Sequence, residues 1–190
     1  MDELSSSIGA CPVSPLITAV QSAQTALAIA DARAPGAPLL FANAAFAALV
    51  DRDAATLVGC PVDSLSSSAP GDRPRLPTHA DDASRSSRIT IRRRDGELEL
   101  ALSTARVTSA QGTPLCLLCS LVDVRGADAD AQILRDAELL REVAQAASGL
   151  MREAGVASDA AAAHGEPDSV AAIATAAMAR VVGERGGARP

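Results

Sequence analysis

The chain has 190 residues, a net charge of −6 and 1% aromatic side chains. An acidic chain lacks the basic face that nucleic-acid binding requires, and no segment approaches the ~18 uninterrupted apolar residues of a membrane-spanning helix. The four cysteines and the absence of an apolar N-terminal run predict reduced thiols and a cytoplasmic protein. An alanine-rich core with so little aromatic area predicts modest stability, which dimerisation would increase.

The first predicted elements are a flexible leader over residues 1–13 and a short helix that follows it. Ser14 suits the N-cap of that helix, and Pro15 suits its first turn. The next apolar residues share one helical face, and we expect them to form an interface: Leu16, Ile17 and Val20.

Residues 25–43 predict two strands joined by a Pro- and Gly-containing turn. Two short helices follow, with Asn43 and Asp53 as their N-caps and Gly59 at the end of the second. The Ser-, Pro- and Arg-rich segment 66–87 has no apolar periodicity and predicts a loop.

Three antiparallel strands are predicted after this loop. Asp95-Gly96 separates two alternating segments, which is typical of a hairpin, and "TSAQGT" forms the next turn. The apolar run "PLCLLCSLVDV" predicts the last strand. Its Cys116 and Cys119 resemble a metal motif, but residues three apart on a strand point to opposite faces, so we expect no metal site.

The C-terminal part predicts a long amphipathic helix over 125–155, followed by a linker and a possible short terminal helix over 156–190. The long helix carries an apolar seven-residue seam that Asp136 interrupts. We expect this seam to bury one face, either against the chain's own sheet or in a homodimer. Its interface residues are Ile133, Leu140, Val143 and Leu150.

The order of two strands, short helices and three strands resembles the PAS fold. More specifically, "ALAIADARAPGAPLLFANAAFAAL" resembles the start of a LOV domain, the flavin-binding blue-light class of PAS, and "RRRDGELELALSTARV" resembles its later hairpin. The resemblance implies an α+β chain whose residues 14–124 form a five-stranded antiparallel sheet. Short helices would lie on one face of this sheet, with helical extensions at both ends.

The LOV resemblance also assigns the positions that would contact a flavin. Aligning the reactive-cysteine motif on Gly59 and Leu65 places Val62 at the cysteine position. Cys60 lies two residues earlier, about 200° away on a helix, and is the alternative photoreactive thiol. The family's flavin-binding Asn and Gln fall near Leu100 and Leu121, which are apolar here.

These features predict a sensory or protein-interaction module of bacterial signal transduction that binds no flavin and acts through a homodimer or a signalling partner. The alternative is a blue-light photoreceptor that binds FMN or FAD through divergent ligands. A haem would need an axial ligand such as His79 or His164, and both lie in loop-like sequence. We expect no enzymatic activity, because no nucleophile–base pair, carboxylate pair or phosphate-binding loop is evident.

Overall fold

Five strands form one antiparallel sheet in the order β2-β1-β5-β4-β3 in the computed structural model, which describes residues 24–67, 84–109 and 111–153. This topology, with helices packed on the sheet, is the PAS fold and confirms the predicted fold class. The strands are β1 (Ala26–Asp31), β2 (Leu39–Ala42), β3 (Ser84–Arg93), β4 (Gly96–Thr108) and β5 (Pro114–Asp123). The helices are α1 (Ala44–Val50), α2 (Ala54–Leu57), a 3₁₀ turn (Val62–Leu65) and α3 (Ala129–Glu153).

A turn of residues 32–38 joins β1 to β2 and requires a glycine. Gly36 has a φ of +76°, and a Cβ placed on it would lie 3.1 Å from the Cβ of Pro61. The turn therefore packs tightly against the residue that precedes the 3₁₀ turn, and its carbonyls of Gly36 and Ala37 accept hydrogen bonds from the backbone nitrogen of Val62 at 3.0 and 3.2 Å.

Asn43 is the N-cap of α1, as predicted. Its side-chain oxygen accepts hydrogen bonds from the backbone nitrogens of Phe46 at 2.9 Å and Leu27 at 3.0 Å. Its side-chain nitrogen donates to the carbonyl of Thr25 at 2.8 Å. One side chain therefore joins the start of α1 to β1. By contrast, Asp53 is the N-cap residue of α2 without a side-chain capping bond.

The β3–β4 hairpin turns at Arg94-Asp95, one residue before the predicted Asp95-Gly96, because Arg93 pairs with Gly96. The prediction that residues 66–87 form a loop is wrong at its end, because β3 begins at Ser84 and pairs with Ala105 of β4. These first residues of β3 are polar, so their own sequence shows no apolar alternation. Pairing with β4 nevertheless satisfies those of their backbone groups that face β4.

The sheet has a hydrophobic core on each face. The inner core lies under α1, α2 and the 3₁₀ turn and contains Phe46, Leu57 and Ile89. The outer core lies under α3 and contains Leu27, Ile29 and Leu118. No helix within the described ranges combines the length and apolarity that crossing a membrane requires. The predicted N-terminal helix and the segment 156–190 lie outside the described residues.

Candidate functional site

The three positions that the LOV resemblance assigned to flavin contacts lie together in the inner core. Val62 is 1% exposed, Leu100 is 0% exposed and Leu121 is 2% exposed. Leu121 pairs with Leu102 across β4 and β5, and Leu100 lies two residues away on the same face. The 3₁₀ turn brings Val62 and Leu65 onto this face from the helical side.

This cluster offers no hydrogen-bonding side chain at these three positions. A flavin ring carries carbonyl and ring-nitrogen groups, and each of them costs free energy when it is buried without a partner, by roughly 1–3 kcal/mol. If the LOV resemblance assigns these positions correctly, an aliphatic cluster there disfavours the polar edge of an isoalloxazine ring.

Cys60 lies outside the inner core, in the short connection between α2 and the 3₁₀ turn. Its side chain is half-buried, and its Sγ donates to the carbonyl oxygen of Thr56 at 3.1 Å. Its backbone carbonyl accepts a hydrogen bond from Leu39. Of the two residues, Val62 rather than Cys60 is the one that the structure places in the inner core.

The helix α3 covers the outer face of the sheet, and the residues of its predicted seam differ in burial. Leu140 and Val143 are buried against the chain's own sheet, while Ile133 is only half-buried. The neighbouring Leu134 is 66% exposed on the opposite side of the helix. The side chain of Leu150 and the predicted interface residues Leu16, Ile17 and Val20 lie outside the described part of the chain.

Polar groups interrupt the apolar contact between α3 and the sheet. Ser103 of β4 pairs with Ser120 of β5, and both residues are buried. The Ser103 hydroxyl bonds to that of Ser86 at 2.8 Å, whereas the Ser120 Oγ is buried and has no hydrogen-bond partner among the described residues. The helix adds its own polar contact, because Ser148 Oγ accepts from the backbone nitrogen of Thr108 at 3.1 Å.

Asp136 is a buried acid on α3 that sequence reasoning treated only as an interruption of the seam. It is 3% exposed and accepts a hydrogen bond from Gln132. Burial raises its pKa to about 6, against the smaller lowering effects of Gln132 and Arg135. Its place on the seam, four residues before Leu140, is the signal that could have identified it.

The junction between β5 and α3 is held by an aspartate–arginine pair. Arg125 donates to Asp123 from its backbone nitrogen at 3.0 Å, from Nε at 3.1 Å and from Nη2 at 2.8 Å. These bonds lower the pKa of the Asp123 carboxyl. The pair thus joins the last residue of β5 to the start of the segment that leads to α3.

Cys116 and Cys119 point to opposite faces of the sheet, as their spacing predicted. The described part of the chain contains no group of three or more His, Cys, Asp or Glu side chains that could hold a metal ion. His79 and His164, the two candidate haem ligands, lie outside the described residues.

No protein-family model and no curated protein matches the chain, whereas solved structures do. An RNA-binding light-oxygen-voltage receptor superposes with a TM-score of 0.53 and 25% sequence identity over 72% of this chain. The chain spans only 40% of that receptor's length. A LOV protein of Rhodobacter sphaeroides superposes with a TM-score of 0.50 and 18% identity, covering 92% of this chain and 97% of that protein. The chain thus has the PAS fold and matches LOV domains in structure.

Proposed function

We propose that this chain is a PAS/LOV-like sensory or protein-interaction module of bacterial signal transduction that works without flavin photochemistry. The observation that carries the proposal is the aliphatic packing of Val62, Leu100 and Leu121 in the inner core, at the positions that the LOV resemblance assigns to flavin contacts. The structural match to LOV domains supports the sensory class. RNA binding, named for that receptor, is not extended to this chain, whose net charge is −6.

The output element in this proposal is α3. It follows β5 through residues 124–128 and packs mainly on β4 and β5. β5 contributes Leu117 and Leu121 to the inner core and Cys116 and Leu118 to the outer core. A change in inner-core packing therefore displaces a strand that also supports α3, and such a change would bias the helix between docked and released arrangements.

The partner in this proposal is a second copy of the chain or another signalling protein. While α3 is docked, Leu140 and Val143 are covered by the sheet, so a partner would contact the outward side of the helix at Leu134. Light scattering at tens of micromolar should show a homodimer that Leu134→Asp weakens. A wild-type monomer at that concentration would remove the homodimer from the proposal.

Flavin binding is tested by refolding the protein in the presence of excess flavin. The protein is unfolded in urea and refolded with excess FMN or FAD, and bound flavin is measured by fluorescence after gel filtration. We expect no stoichiometric retention, because the three aliphatic positions provide no partners for the polar edge of the ring. Retention at one flavin per chain would favour the alternative function.

That alternative is a flavin-binding blue-light photoreceptor with divergent ligands, and the fold match is the observation that favours it. In this case Cys60 is the candidate thiol for the photochemical adduct. Blue light should then produce an absorbance change that Cys60→Ser abolishes. We expect no such change in the wild-type protein.

A further inference from the structure

The contact between α3 and the sheet contains a buried carboxyl group where an apolar side chain would pack. Asp136, Leu140, Val143 and Ala147 recur at intervals of three to four residues and therefore share one face of the helix. The last three lie in the outer core with 0–1% exposure, and Asp136 is 3% exposed. The helix thus presents an acid and an apolar stripe to the same side of the molecule.

Asp136 lies on the wall of a cleft of about 430 Å³ at the end of the sheet where β1 begins and β5 ends. The described residues leave the cleft open to solvent, so a proton can reach the carboxyl group while the helix stays docked. Among the described residues, its other walls are formed by Gln24, Thr25, Ala26, Ala45, Leu49, Leu121, Val122, Asp123 and Gln132.

The charges around this carboxyl group offer little compensation for its ionisation. On α3, Gln132 donates a hydrogen bond and Arg135 contributes a favourable charge, but Arg135 itself is exposed. From β5, the titratable group that lines the cleft is Asp123, an acid already bonded to Arg125. The parts of β1 and α1 that line the cleft contribute no charged side chain.

We infer that the docking of α3 on the sheet is linked to a proton on Asp136, so that acidification favours the docked helix and neutral pH weakens it. The ionised carboxylate must give up water to occupy this position, whereas the neutral acid loses less. The unpartnered Ser120 hydroxyl makes the same contact less favourable than a fully apolar one. The biological meaning of this linkage rests on the proposed role of α3 as output, but the linkage itself does not.

The sign of this pH dependence follows from the pKa of Asp136 in the docked and released states of α3. Burial raises the pKa of Asp136 from 3.8 to about 6 in the docked state, and release returns it toward the ordinary value. The helix therefore docks most strongly at a pH at which Asp136 is protonated in both the docked and the released state. Docking weakens as the pH rises from 3.8 to about 6. Between about pH 5 and pH 7.5 this shift changes the docking constant by about tenfold.

Amide hydrogen exchange on the full chain measures this equilibrium. Rates for residues 139–147 of α3 are divided by the intrinsic rates at each pH, and residues 117–120 of β5 serve as the reference for global unfolding. We expect protection in α3 to rise about tenfold from pH 7.5 to pH 5 and to stay below that of the β5 reference, so that exchange reports release of the helix and not global unfolding, which also returns Asp136 to its ordinary pKa. Flavin content does not enter this readout, so its result is distinguishable from failure of the proposed function.

Asp136→Asn should remove most of the pH dependence and increase the protection of α3 at pH 7.5. Glu138→Gln removes an exposed carboxyl group from the same helix and is the matched control, which should keep the wild-type dependence. An unchanged pH dependence in Asp136→Asn, or a pH-independent wild type, would overturn the inference. Should Asp136→Asn not fold, carboxyl NMR of the wild type decides, since a midpoint near ~4 would contradict the linkage and one near about 6 would support it.

Discussion

Cys116 and Cys119 lie three residues apart on β5, and the sheet separates their side chains into the two cores. Burial raises the pKa of both thiols, that of Cys119 to about 12, so neither is ionised at neutral pH. Because the thiolate is the reactive form, both cysteines should resist thiol reagents in the native state. Labelling of each thiol therefore reports whether the elements packed on its face of the sheet have been released.

Ala147→Asp should expose Cys116 to a thiol reagent while Cys119 stays protected. Ala147 is fully buried in the outer core, so a charge there opposes the docking of α3 without entering the inner core. We expect Cys116 labelling, mapped by mass spectrometry, to rise by at least about tenfold, since about 1.4 kcal/mol of lost docking energy is sufficient.

Gln145→Asp places the same charge at an exposed position of α3 and is the control for this experiment. Cys60→Ser and Cys11→Ser remove the other two cysteines from the background. Equal labelling of Cys116 and Cys119 would contradict the separation of the two cores.

Asn43→Ala should destabilise the whole domain, because it removes the hydrogen bonds that join β1 to α1. Two backbone nitrogens, of Leu27 and Phe46, lose their acceptor in a buried place. We expect a loss of about 2–4 kcal/mol in the free energy of unfolding, measured with urea. Asp53→Ala, at a cap without a side-chain bond, should change this free energy by less than ~0.5 kcal/mol. Similar effects of the two substitutions would show that the Asn43 bonds contribute little.

Leu140→Ala and Leu134→Ala compare the buried and exposed sides of α3. Leu140 is 1% exposed in the outer core, and its truncation should lower the free energy of unfolding by about 2–5 kcal/mol. Leu134 is exposed, and its truncation should change the monomer's unfolding free energy by no more than ~0.5 kcal/mol. A small effect at Leu140 would mean that α3 is not docked on the sheet in solution.

Cys60→Ser and Val62→Thr test the positions of these two residues relative to the inner core. Cys60 lies outside that core, so its substitution should leave stability within ~0.5 kcal/mol of the wild type. Val62→Thr buries a hydroxyl group among aliphatic side chains and should cost about 1–3 kcal/mol in chemical denaturation. The reverse order of these two effects would show that Cys60, and not Val62, belongs to the core.

The sequence predicted those features whose signals are local. Asn43 caps a helix that begins at the next residue, and the Asp95-Gly96 pair predicts a hairpin whose turn lies one residue earlier, at Arg94-Asp95. The start of β3 at Ser84 was missed, because a polar edge strand takes its register from β4 rather than from its own pattern.

The interface of α3 was predictable only in part. Helical periodicity shows that Leu140 and Val143 share a face, but not whether the chain's own sheet or a second chain covers that face. The cleft that Asp136 lines is completed by residues of β1, α1 and β5, which are distant in sequence. From the sequence of α3 alone, Asp136 is therefore only an interruption of the apolar seam, whereas in the fold it lines a cleft.

Absorption spectroscopy of the purified protein, with mass spectrometry of any released small molecule, tests the proposal of a flavin-free sensor most directly. The protein should be colourless in the blue and release no flavin, because Val62, Leu100 and Leu121 fill the inner core with aliphatic groups. The protein is produced in cells supplied with riboflavin, so that a negative result does not reflect a shortage of the ligand. Stoichiometric FMN or FAD in the purified protein would contradict the proposal.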